Sequence, residues 1–498
     1  MTRDPSRREG DGSLRSPCSP VGVPAPTLVV DLDGTLTPTD TLIESILRIA
    51  KNRPIDLLNL PFWLLSGRAA FKKMVASHDR LPVETLPWRT ELVEFLRAER
   101  RKGRRIVLAT AADHDVADSV ARHVGLFDDV ISSDGTRNLK GAHKLRAIQE
   151  RVGDRFVYAG DNEADLPVWR AACGAITVGV TPGVARTVAQ YTPVEHSFPQ
   201  ERAGLGTWLS ALRGHQWSKN VLLFVPLLTA FSFMDASRFV TMVIAFFAFS
   251  LLASSTYIVN DLWDLESDRS HPRKRNRPFA SGRIPILHGL VVASGLLAAA
   301  LLLAASVSQG FLLTLLIYLA LTSAYSGVLK RYVLLDVVTL SLLYTLRIIA
   351  GSVAIAIAPS SWLLAFSVFV FLSLALVKRC SELVVFGKAG RDSVLGRDYR
   401  VEDLVVLWPL GVGAGLSAVV VFGLFINSPE IHTRYETPRL LWFAAIGLIY
   451  WLARLWIKTS RGEMHDDPVV YAMKDAASRT VLLAMIATVL AAHFLDLG

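Results

Sequence analysis

The stretch FFAFSLLASSTYIVNDLWDLESDRSHPRKRNRP (residues 246–278) joins an apolar run directly to a dense cluster of charges. Asp261, Asp264 and Asp268 lie at positions i, i+3 and i+7, so a helix would align them on one stripe, with Asn260 beside Asp264. Like charges at this spacing repel one another, and the repulsion grows at the edge of a low-dielectric medium. The stretch therefore predicts a membrane helix whose mouth carries a site for a cation.

A divalent cation with a bound anionic substrate would explain both signs of charge. Mg²⁺ prefers oxygen ligands, keeps several waters and commonly bridges carboxylates to substrate phosphates. The basic run HPRKRNRP (residues 271–278) would then contact the remaining phosphate oxygens. The alternative is a solvated loop with incidental acids, which accounts for the basic residues but not for the acids in register.

The composition predicts a soluble domain followed by a membrane domain. The chain has 498 residues, too many for one ordinary domain, and 51% of them are hydrophobic. Charged residues are frequent up to about residue 213, and long apolar runs follow residue 219. We expect a disordered leader (1–26), a soluble domain (27–184), a connector (185–215) and a membrane domain (216–498).

Charge and cysteine content exclude some classes of protein. The formal charge of +9 does not indicate nucleic-acid binding, because the membrane half carries its basic residues in loops. Cys18, Cys173 and Cys380 have unrelated spacings, so neither a disulfide framework nor a zinc site is expected.

Apolar segments predict the topology of the membrane half. Several approach the roughly 20 residues that a spanning helix needs. Alternate loops between them are rich in Lys and Arg, which predicts a multi-pass protein of the plasma (inner) membrane with the soluble domain and four charged loops in the cytoplasm and the C-terminus outside. The nine segments cover about 219–235, 237–259, 286–306, 309–325, 333–356, 362–378, 402–426, 439–457 and 480–496.

The acidic stretch resembles a known family. NDLWDLESD (residues 260–268) has the N-D-x-x-D-x-x-x-D form of the UbiA superfamily of intramembrane transferases, and HQWSKNVLLFVPLL (residues 215–228) is similar to that family's first-helix entry. The resemblance covers about residues 211–498 and implies an all-α transmembrane bundle of nine helices.

The 6–7 loop indicates a branch of that family. UbiA prenyltransferases use a second D-x-x-x-D motif there, whereas Asp392 and Asp398 of this chain are not spaced i, i+4, and basic residues dominate. Such a loop suits a lipid monophosphate better than a diphosphate with a second metal. Residues 325–347 and 461–475 resemble the decaprenyl-phosphate phosphoribosyltransferase branch, whose members join 5-phosphoribose 1-diphosphate (PRPP) to a polyprenyl phosphate and release pyrophosphate.

This resemblance implies partners, a cofactor and roles for residues. PRPP, a polyprenyl phosphate and the bilayer would be the partners, and no nucleic acid is expected. Asn260, Asp261, Asp264 and Asp268 would hold Mg²⁺ and PRPP. The other predicted substrate-binding residues are Lys219, Lys274, Arg275, Arg277, Lys330, Asp336, Tyr344, Arg347, Lys378, Arg379, Glu382 and Arg397.

Other interpretations remain open for these residues and for the membrane domain. Lys330 could be only a topology signal, and Arg347 could form a structural pair with Asp336 or Glu382. The bundle could instead be a UbiA prenyltransferase acting on a small acceptor, or a lipid-phosphate transporter, although no internal repeat supports the latter. A homo-oligomer is possible.

The soluble half predicts a second site. Apolar strands end at Asp31 and Asp33, at Thr110, and at Asp161, with Asp165 four residues on. Such strand ends fit an open α/β sheet with a site beyond its carboxyl edge. Asp31 would be the nucleophile and Asp33 the acid/base. Thr110 and Lys140 would neutralise phosphate, and the predicted Mg²⁺ ligands are Asp31, Asp33, Asp161 and Asp165.

Over residues 27–181 these motifs resemble the haloacid dehalogenase (HAD) superfamily, which implies a Rossmann-like domain with a helical cap at about 40–88. Within that cap IDLLNLPFWLL (residues 55–65) is too short to span a membrane, and we expect ordinary cap packing, with a membrane-surface location as the alternative. Retention of Asp33 favours phosphatase chemistry over a degenerate regulatory domain. The hypothesis for the whole chain is that the HAD domain removes the 5-phosphate of the transferase product.

Overall fold

The computed structural model describes residues 25–199, 203–388, 398–429, 431, 434–464 and 467–496. These residues form two compact units. The first consists of the described residues up to residue 211 together with residues 258–291. The second consists of residues 212–257 together with residues 292 onward.

The first unit is built on a parallel sheet of six strands, in the order β3-β2-β1-β4-β5-β6. Side chains of adjacent residues point to opposite faces, and both faces are buried: Leu28 and Val30 pack in one cluster and Val29 in the other. The α/β class expected from the sequence is confirmed. The strands are β1 Thr27–Val30, β2 Ile106–Asp113, β3 Asp129–Ser133, β4 Phe156–Gly160, β5 Gly174–Val178 and β6 Val194–Phe198.

Helices cover the sheet and form the insert between β1 and β2. The first three, α1 to α3, belong to the predicted cap region. The nine helices are α1 Thr41–Asn52, α2 Leu60–Leu65, α3 Arg68–His78, α4 Thr90–Arg101, α5 His114–Val124, α6 Ala142–Val152, α7 Leu166–Ala171, α8 Pro182–Tyr191 and α9 Leu205–Ala211.

The structure corrects the expected connector at 185–215. Most of α8 and all of β6 lie in that range, and β6 pairs in parallel with β5, so the sheet domain continues to Phe198. The strand β6 (VEHSF) is short, lies at the edge of the sheet and exposes most of its side chains, several of them polar. Its sequence is therefore hard to distinguish from that of a linker.

The membrane part contains eight described helices that are long and apolar enough to cross a membrane. They agree closely with eight of the nine predicted segments. With the shorter helices between them, they are α10 Val225–Thr229, α11 Ala236–Trp263, α12 Leu265–Ser270, α13 Ile286–Val307, α14 Gln309–Gly327, α15 Leu335–Ala354, α16 Ser361–Lys388, α17 Leu404–Ile426, α18 Leu441–Arg461, α19 Pro468–Lys474 and α20 Ala476–Phe494.

The predicted first segment, 219–235, is not one long helix. Residues Gly214–Phe224 form a 3₁₀ stretch, and the short α10 begins just before Pro226, which has no N–H for an α-helical bond to the preceding turn. Gly351 of α15 lets this stretch pack closely, since a Cβ there would lie 2.0 Å from the carbonyl oxygen of Leu223. Hydrophobicity predicted burial of this segment but not its backbone geometry.

Candidate active sites

The first site is a cavity of about 420 Å³ at the carboxyl ends of the central strands. Asp31 follows β1, Thr110 lies in β2, and Asp161 follows β4, so three neighbouring strands deliver them to one edge. The structure thus brings together residues that are 130 positions apart. The cavity is lined by Asp31, Asp33, Thr110, Lys140, Lys144, Asp161, Asp165 and residues 285–288, among others.

A lysine that the sequence analysis missed contacts the predicted nucleophile. The Nζ of Lys144 donates to Asp31 Oδ2 at 2.7 Å, to the hydroxyl of Tyr158 at 2.9 Å and to Asp165 Oδ1 at 3.4 Å. Lys140, which was predicted to neutralise phosphate, lines the same cavity. Lys144 and Ile148 are the buried residues of α6 and are spaced i, i+4, and this spacing is the signal that could have identified Lys144.

Three carboxylates form a group that suits a metal ion. Asp31, Asp161 and Asp165 each offer an oxygen within 4.8 Å of the others. Burial raises the pKa of Asp31, although Lys144 opposes this, and burial together with Asp31 raises the pKa of Asp161 to about 7. Lys144 supplies one positive charge to these three carboxylates, and a group of oxygen ligands with negative charge left over fits Mg²⁺.

Asp33 does not join this group in the structure. Its Oδ1 accepts a hydrogen bond from the backbone N–H of Thr41 at 2.9 Å, and the three-carboxylate group of the described residues does not include it. Burial raises the pKa of Asp33 to about 7, and the charge of Asp40 adds to the effect. A carboxyl group that is readily protonated near neutral pH suits a general acid rather than a metal ligand.

Gly34 is required by the turn after β1. Its φ is +78°, and a Cβ at this position would lie 2.1 Å from Asp161 Oδ2. The glycine of the D-x-D-G-T motif therefore lets the turn pass directly beside the carboxylate of Asp161, which follows β4.

The second candidate site contains the acidic stripe (Asn260, Asp261, Asp264 and Asp268), which begins in the last turn of α11. The helix ends at Trp263, Asp264 forms the break, and α12 resumes at Leu265. Asp261 and Asp268 are nevertheless on one side, because Arg277 Nη1 donates to Asp261 Oδ1 at 3.0 Å and to Asp268 Oδ2 at 2.6 Å. Both carboxylates are almost fully buried. Arg277 offsets the repulsion between them, a task that the sequence analysis expected a metal ion to perform.

The arrangement of this stripe is less suited to a metal than that of the first site. Among the described residues, Asp261, Asp264 and Asp268 do not form a group of three carboxylates close enough for one ion. Lys274 lies 4.0 Å from Asp268, while the predicted phosphate contact Arg275 lies with it in the short turn Lys274–Asn276. A cation already occupies the position between the two buried carboxylates, and it is the guanidinium of Arg277.

In the second unit, two predicted lysines meet on one carboxylate. Asp467 Oδ2 accepts from Lys219 Nζ at 2.8 Å and from Lys378 Nζ at 3.4 Å. Burial would raise the pKa of Asp467, but the two lysines hold it below its usual range. The Lys219 Nζ also lies 5.8 Å from the ring centroid of Tyr344. The side chain of Asp467 also caps α19, so one residue anchors a helix and gathers two cations.

Asp336 and Arg379 form a buried ion pair. Their side chains are both 0% exposed, and Arg379 Nη2 donates to Asp336 Oδ2 at 2.6 Å. Glu382 pairs with the other nitrogen of Arg379, and Tyr399 donates its hydroxyl proton to Asp336. These three predicted substrate contacts therefore bind one another.

Arg347 is held by neutral groups rather than by the acids considered from the sequence. It donates to the side-chain oxygen of Asn220 at 3.1 Å, to the Leu343 carbonyl at 2.7 Å and to the Tyr318 hydroxyl at 2.8 Å. Lys330 lies in the 3₁₀ turn Leu329–Arg331 after α14, and Arg397 lies outside the described residues.

Comparison with known sequences assigns the two parts of the chain. Residues 220–476, more than half of the chain, match the UbiA prenyltransferase family. The chain belongs to this family. Residues 28–170 match the haloacid dehalogenase-like hydrolases, which agrees with the parallel sheet of the first unit. The protein is thus a multi-pass membrane protein that combines a UbiA domain with an N-terminal HAD-like domain.

One relative matches almost the whole chain, and another matches a little more than half of it. An uncharacterized protein, y4nM, of Sinorhizobium fredii is 40% identical over 460 residues, which is 91% of this chain and 88% of the relative. The decaprenyl-phosphate phosphoribosyltransferase of Mycolicibacterium smegmatis is 31% identical over 299 residues, which is 57% of this chain and 92% of the relative. A solved UbiA homologue of Archaeoglobus fulgidus, bound to GPP and Mg²⁺, is 16% identical, with a TM-score of 0.43, and covers 58% of this chain and 100% of its own.

Proposed function

We propose that the UbiA domain transfers 5-phosphoribose from PRPP to a polyprenyl phosphate, and that the HAD-like domain hydrolyses a phosphate ester of the product. The observation that carries the proposal is the similarity of the UbiA domain to decaprenyl-phosphate phosphoribosyltransferases along almost their whole length. The basic 6–7 loop supports it, because Asp392 and Asp398 lack the spacing that a second diphosphate-bound metal would require.

The acidic stripe is the proposed donor site. Asp261 and Asp268 would hold Mg²⁺, with Asn260 and Asp264 beside them, once Arg277 turns from the carboxylates to the diphosphate. The Arg277 side chain is 31% exposed, which leaves it room to move. Lys274 and Arg275 are the other proposed phosphate contacts, and arginine is suited to this task because it can bind two phosphate oxygens at once.

Lys219 and Lys378 are the proposed contacts of the lipid phosphate. The structure holds both on Asp467, so each ammonium group already lies beside an oxygen anion. A phosphate monoester offers the same kind of ligand with more charge, and it would replace the carboxylate as their partner.

The transfer step needs charge stabilisation more than proton transfer. An oxygen of the lipid phosphate forms the new bond to C1 of the ribose while the bond from C1 to the pyrophosphate oxygen breaks, and that electron pair leaves with pyrophosphate. The nucleophile is already anionic near neutral pH, so no general base is required. Mg²⁺, when bound, would neutralise charge on the leaving group. Arg277, Lys274 and Arg275 would orient it and share that task.

The HAD-like cavity supports a phosphohydrolase step. Asp31 would attack the phosphorus, and Asp33 would donate a proton to the departing oxygen, in keeping with its raised pKa. Hydrolysis of the aspartyl phosphate by water would then regenerate Asp31. Lys144 would orient Asp31 and offset negative charge. Asp161 and Asp165 would be the remaining ligands of Mg²⁺, which would supply positive charge against the phosphate.

The positive-inside distribution of basic residues supports a cytoplasmic location for the HAD-like domain and the charged loops, with the C-terminus outside. PRPP is a soluble anion. A donor site on the same side of the membrane as the HAD-like cavity would let the product of the transfer become the substrate of the hydrolysis.

A donor competition tests the transferase proposal. Purified full-length protein with Mg²⁺ and polyprenyl phosphate should move label from ribose-labelled PRPP into lipid, whereas a prenyl diphosphate with an aromatic acceptor should give no product. Asp261→Asn should abolish transfer, and Asp235→Asn, an exposed acid that caps the start of α11, should not. Alkylation of the acceptor without use of PRPP would identify a prenyltransferase instead.

A further inference from the structure

The cap contains an apolar surface that the described residues leave largely exposed. Residues Pro54–Asn59 form a 3₁₀ stretch that leads into α2, and no residue of these two elements is buried. Scattered exposed apolar residues are normal, but a cluster of large ones calls for a partner. The outward side chains and their exposed fractions are Ile55 77%, Leu58 73%, Phe62 68%, Leu64 56% and Leu65 85%.

The inward face of this segment already satisfies the cap. Leu57, Leu60 and Trp63 are partly buried, and the Trp63 ring lies 4.3 Å from the ring of His78 on α3. Packing of the segment against the cap therefore accounts for these three residues. The outward set, which we call the cap patch (Ile55, Leu58, Phe62, Leu64 and Leu65), contributes nothing to that packing. The expectation of ordinary cap packing is correct for only one face of the segment.

The helix that precedes the cap patch contacts the end of a membrane helix. Lys51 Nζ donates to the carbonyl oxygen of Trp263 at 3.0 Å, and Arg48 forms an ion pair with Glu266. Trp263 is the last residue of α11, an apolar helix of 28 residues that is long enough to span a bilayer. The segment begins three residues after Lys51, so its start is tied to the point where the chain leaves the membrane.

The charges around the cap patch suit a lipid headgroup layer. Lys51 and Arg53 precede the segment and Arg68 follows it, while Asp56 is the only acid within residues 54–65. Basic residues next to large apolar side chains are typical of segments that lie in the membrane interface, where the cations meet anionic lipids.

We propose that the cap patch inserts into the surface of the lipid bilayer on the side where α11 ends. The partner is the bilayer itself, rather than a second copy of the chain, because the patch is continuous with the end of a spanning helix and is flanked by cations. This contact holds the HAD-like cavity at the membrane surface. The same cavity is lined by residues 285–288, among them the half-exposed Leu287 in the first turn of the apolar helix α13. Insertion of the cap patch into the bilayer is expected whichever donor the transferase uses.

Photolabelling of the full-length protein from within the bilayer tests the proposal. The protein would be reconstituted in vesicles of phosphatidylcholine and phosphatidylglycerol that contain phosphatidylcholine with a diazirine on its acyl chain. After illumination, we expect adducts within residues 54–65 and within the spanning helices, and none within residues 182–198 of the same domain. Labelled spanning helices with an unlabelled segment 54–65 would overturn the proposal.

A polar variant supplies the matched control. In the combined variant Leu58→Gln, Phe62→Gln and Leu65→Gln, labelling of residues 54–65 should fall roughly tenfold or more, because transfer of three large apolar side chains favours the apolar phase. The exposed pair Tyr191→Ser and Val194→Thr should leave that labelling unchanged. Equal labelling of the polar variant would show that the patch does not hold the segment in the bilayer.

Discussion

At the residue scale, Lys144 shows how a single side chain can organise a site. Its ammonium group lies between Asp31 and Asp165, and its side chain is 4% exposed, so one buried cation faces two carboxylates. Removal of this cation would leave two buried carboxylates without their shared partner. Lys140 lines the same cavity, and its backbone N–H bonds to the carbonyl of Asn138.

We therefore expect Lys144→Met to reduce hydrolysis of a soluble phosphate monoester by about 100-fold or more, in line with the loss of one preorganised charge contact. The measurement is phosphate release by full-length protein in Mg²⁺. Lys140→Met is the matched control and should have a smaller effect. The account of the site is wrong if Lys140→Met is inactive and Lys144→Met retains activity.

The residues of this site could be predicted from the sequence most directly where strands define them. Asp31, Thr110 and Asp161 are found at the ends of apolar runs, and the structure brings them to one cavity. Lys144 lies in a helix, where only the i, i+4 spacing with Ile148 indicates its facing direction, so the motif alone predicts Lys140 and not Lys144. The contact of Asp467 with Lys219 and Lys378 joins residues up to 248 positions apart, and no local pattern predicts it.

At the element scale, ion pairs connect helices that hydrophobic packing alone would not align. Asp336 lies in the first turn of α15 and Arg379 lies in α16, and both side chains are fully buried. The sequence predicted Asp336 as a substrate contact because it is a polar residue flanked by apolar ones, and Arg379 because it is one of the basic residues of the 6–7 loop. Burial and mutual pairing give them a structural role that this pattern cannot distinguish from binding.

Arg379→Met should accordingly destabilise the protein by about 3–5 kcal/mol, because it leaves the Asp336 carboxylate buried without its cation. The double variant Asp336→Leu with Arg379→Met should recover part of this loss. Thermal unfolding of the detergent-solubilised protein measures both effects. If Arg379→Met instead unfolds like the wild type but no longer uses PRPP, Arg379 is a substrate contact.

A second pair ties the cap helix α1 to the loop that carries the acidic stripe. Arg269 donates both terminal nitrogens to Glu44, at 3.1 and 2.6 Å, and its Nε to the carbonyl of Ala280 at 3.1 Å. The two side chains are each 6% exposed. The loop that follows α11 therefore belongs to the same compact unit as the HAD-like domain, which the division into soluble and membrane halves did not predict.

Glu44→Ala should loosen this loop, since Arg269 would be left buried without a carboxylate. Hydrogen–deuterium exchange should then increase across residues 265–285. Glu84→Ala, which removes an exposed glutamate of the same unit, serves as the control and should leave exchange there unchanged. Unchanged exchange in Glu44→Ala would show that the loop is held by other contacts.

At the scale of the whole molecule, the chain combines two chemistries that a phosphate could connect. Its UbiA domain belongs to a family of prenyltransferases, and its HAD-like domain presents a cavity lined by carboxylates and lysines, for which we propose phosphate hydrolysis. The sequence predicted the two domains because each carries a motif in which spacing is fixed by chemistry. The 3₁₀ stretch before α10 and the strand β6 depend on packing, and the sequence did not predict them. For the cap segment the sequence favoured ordinary cap packing, with a membrane-surface location as the alternative.

The most direct test is a product balance on the full-length protein given PRPP, Mg²⁺ and polyprenyl phosphate. We predict that the wild type releases pyrophosphate and then inorganic phosphate, and that Asp31→Asn releases pyrophosphate alone while a lipid that still carries the 5-phosphate accumulates. Phosphate release that is unchanged in Asp31→Asn would contradict the coupling of the two domains, and the absence of pyrophosphate from both proteins would contradict the transferase assignment itself.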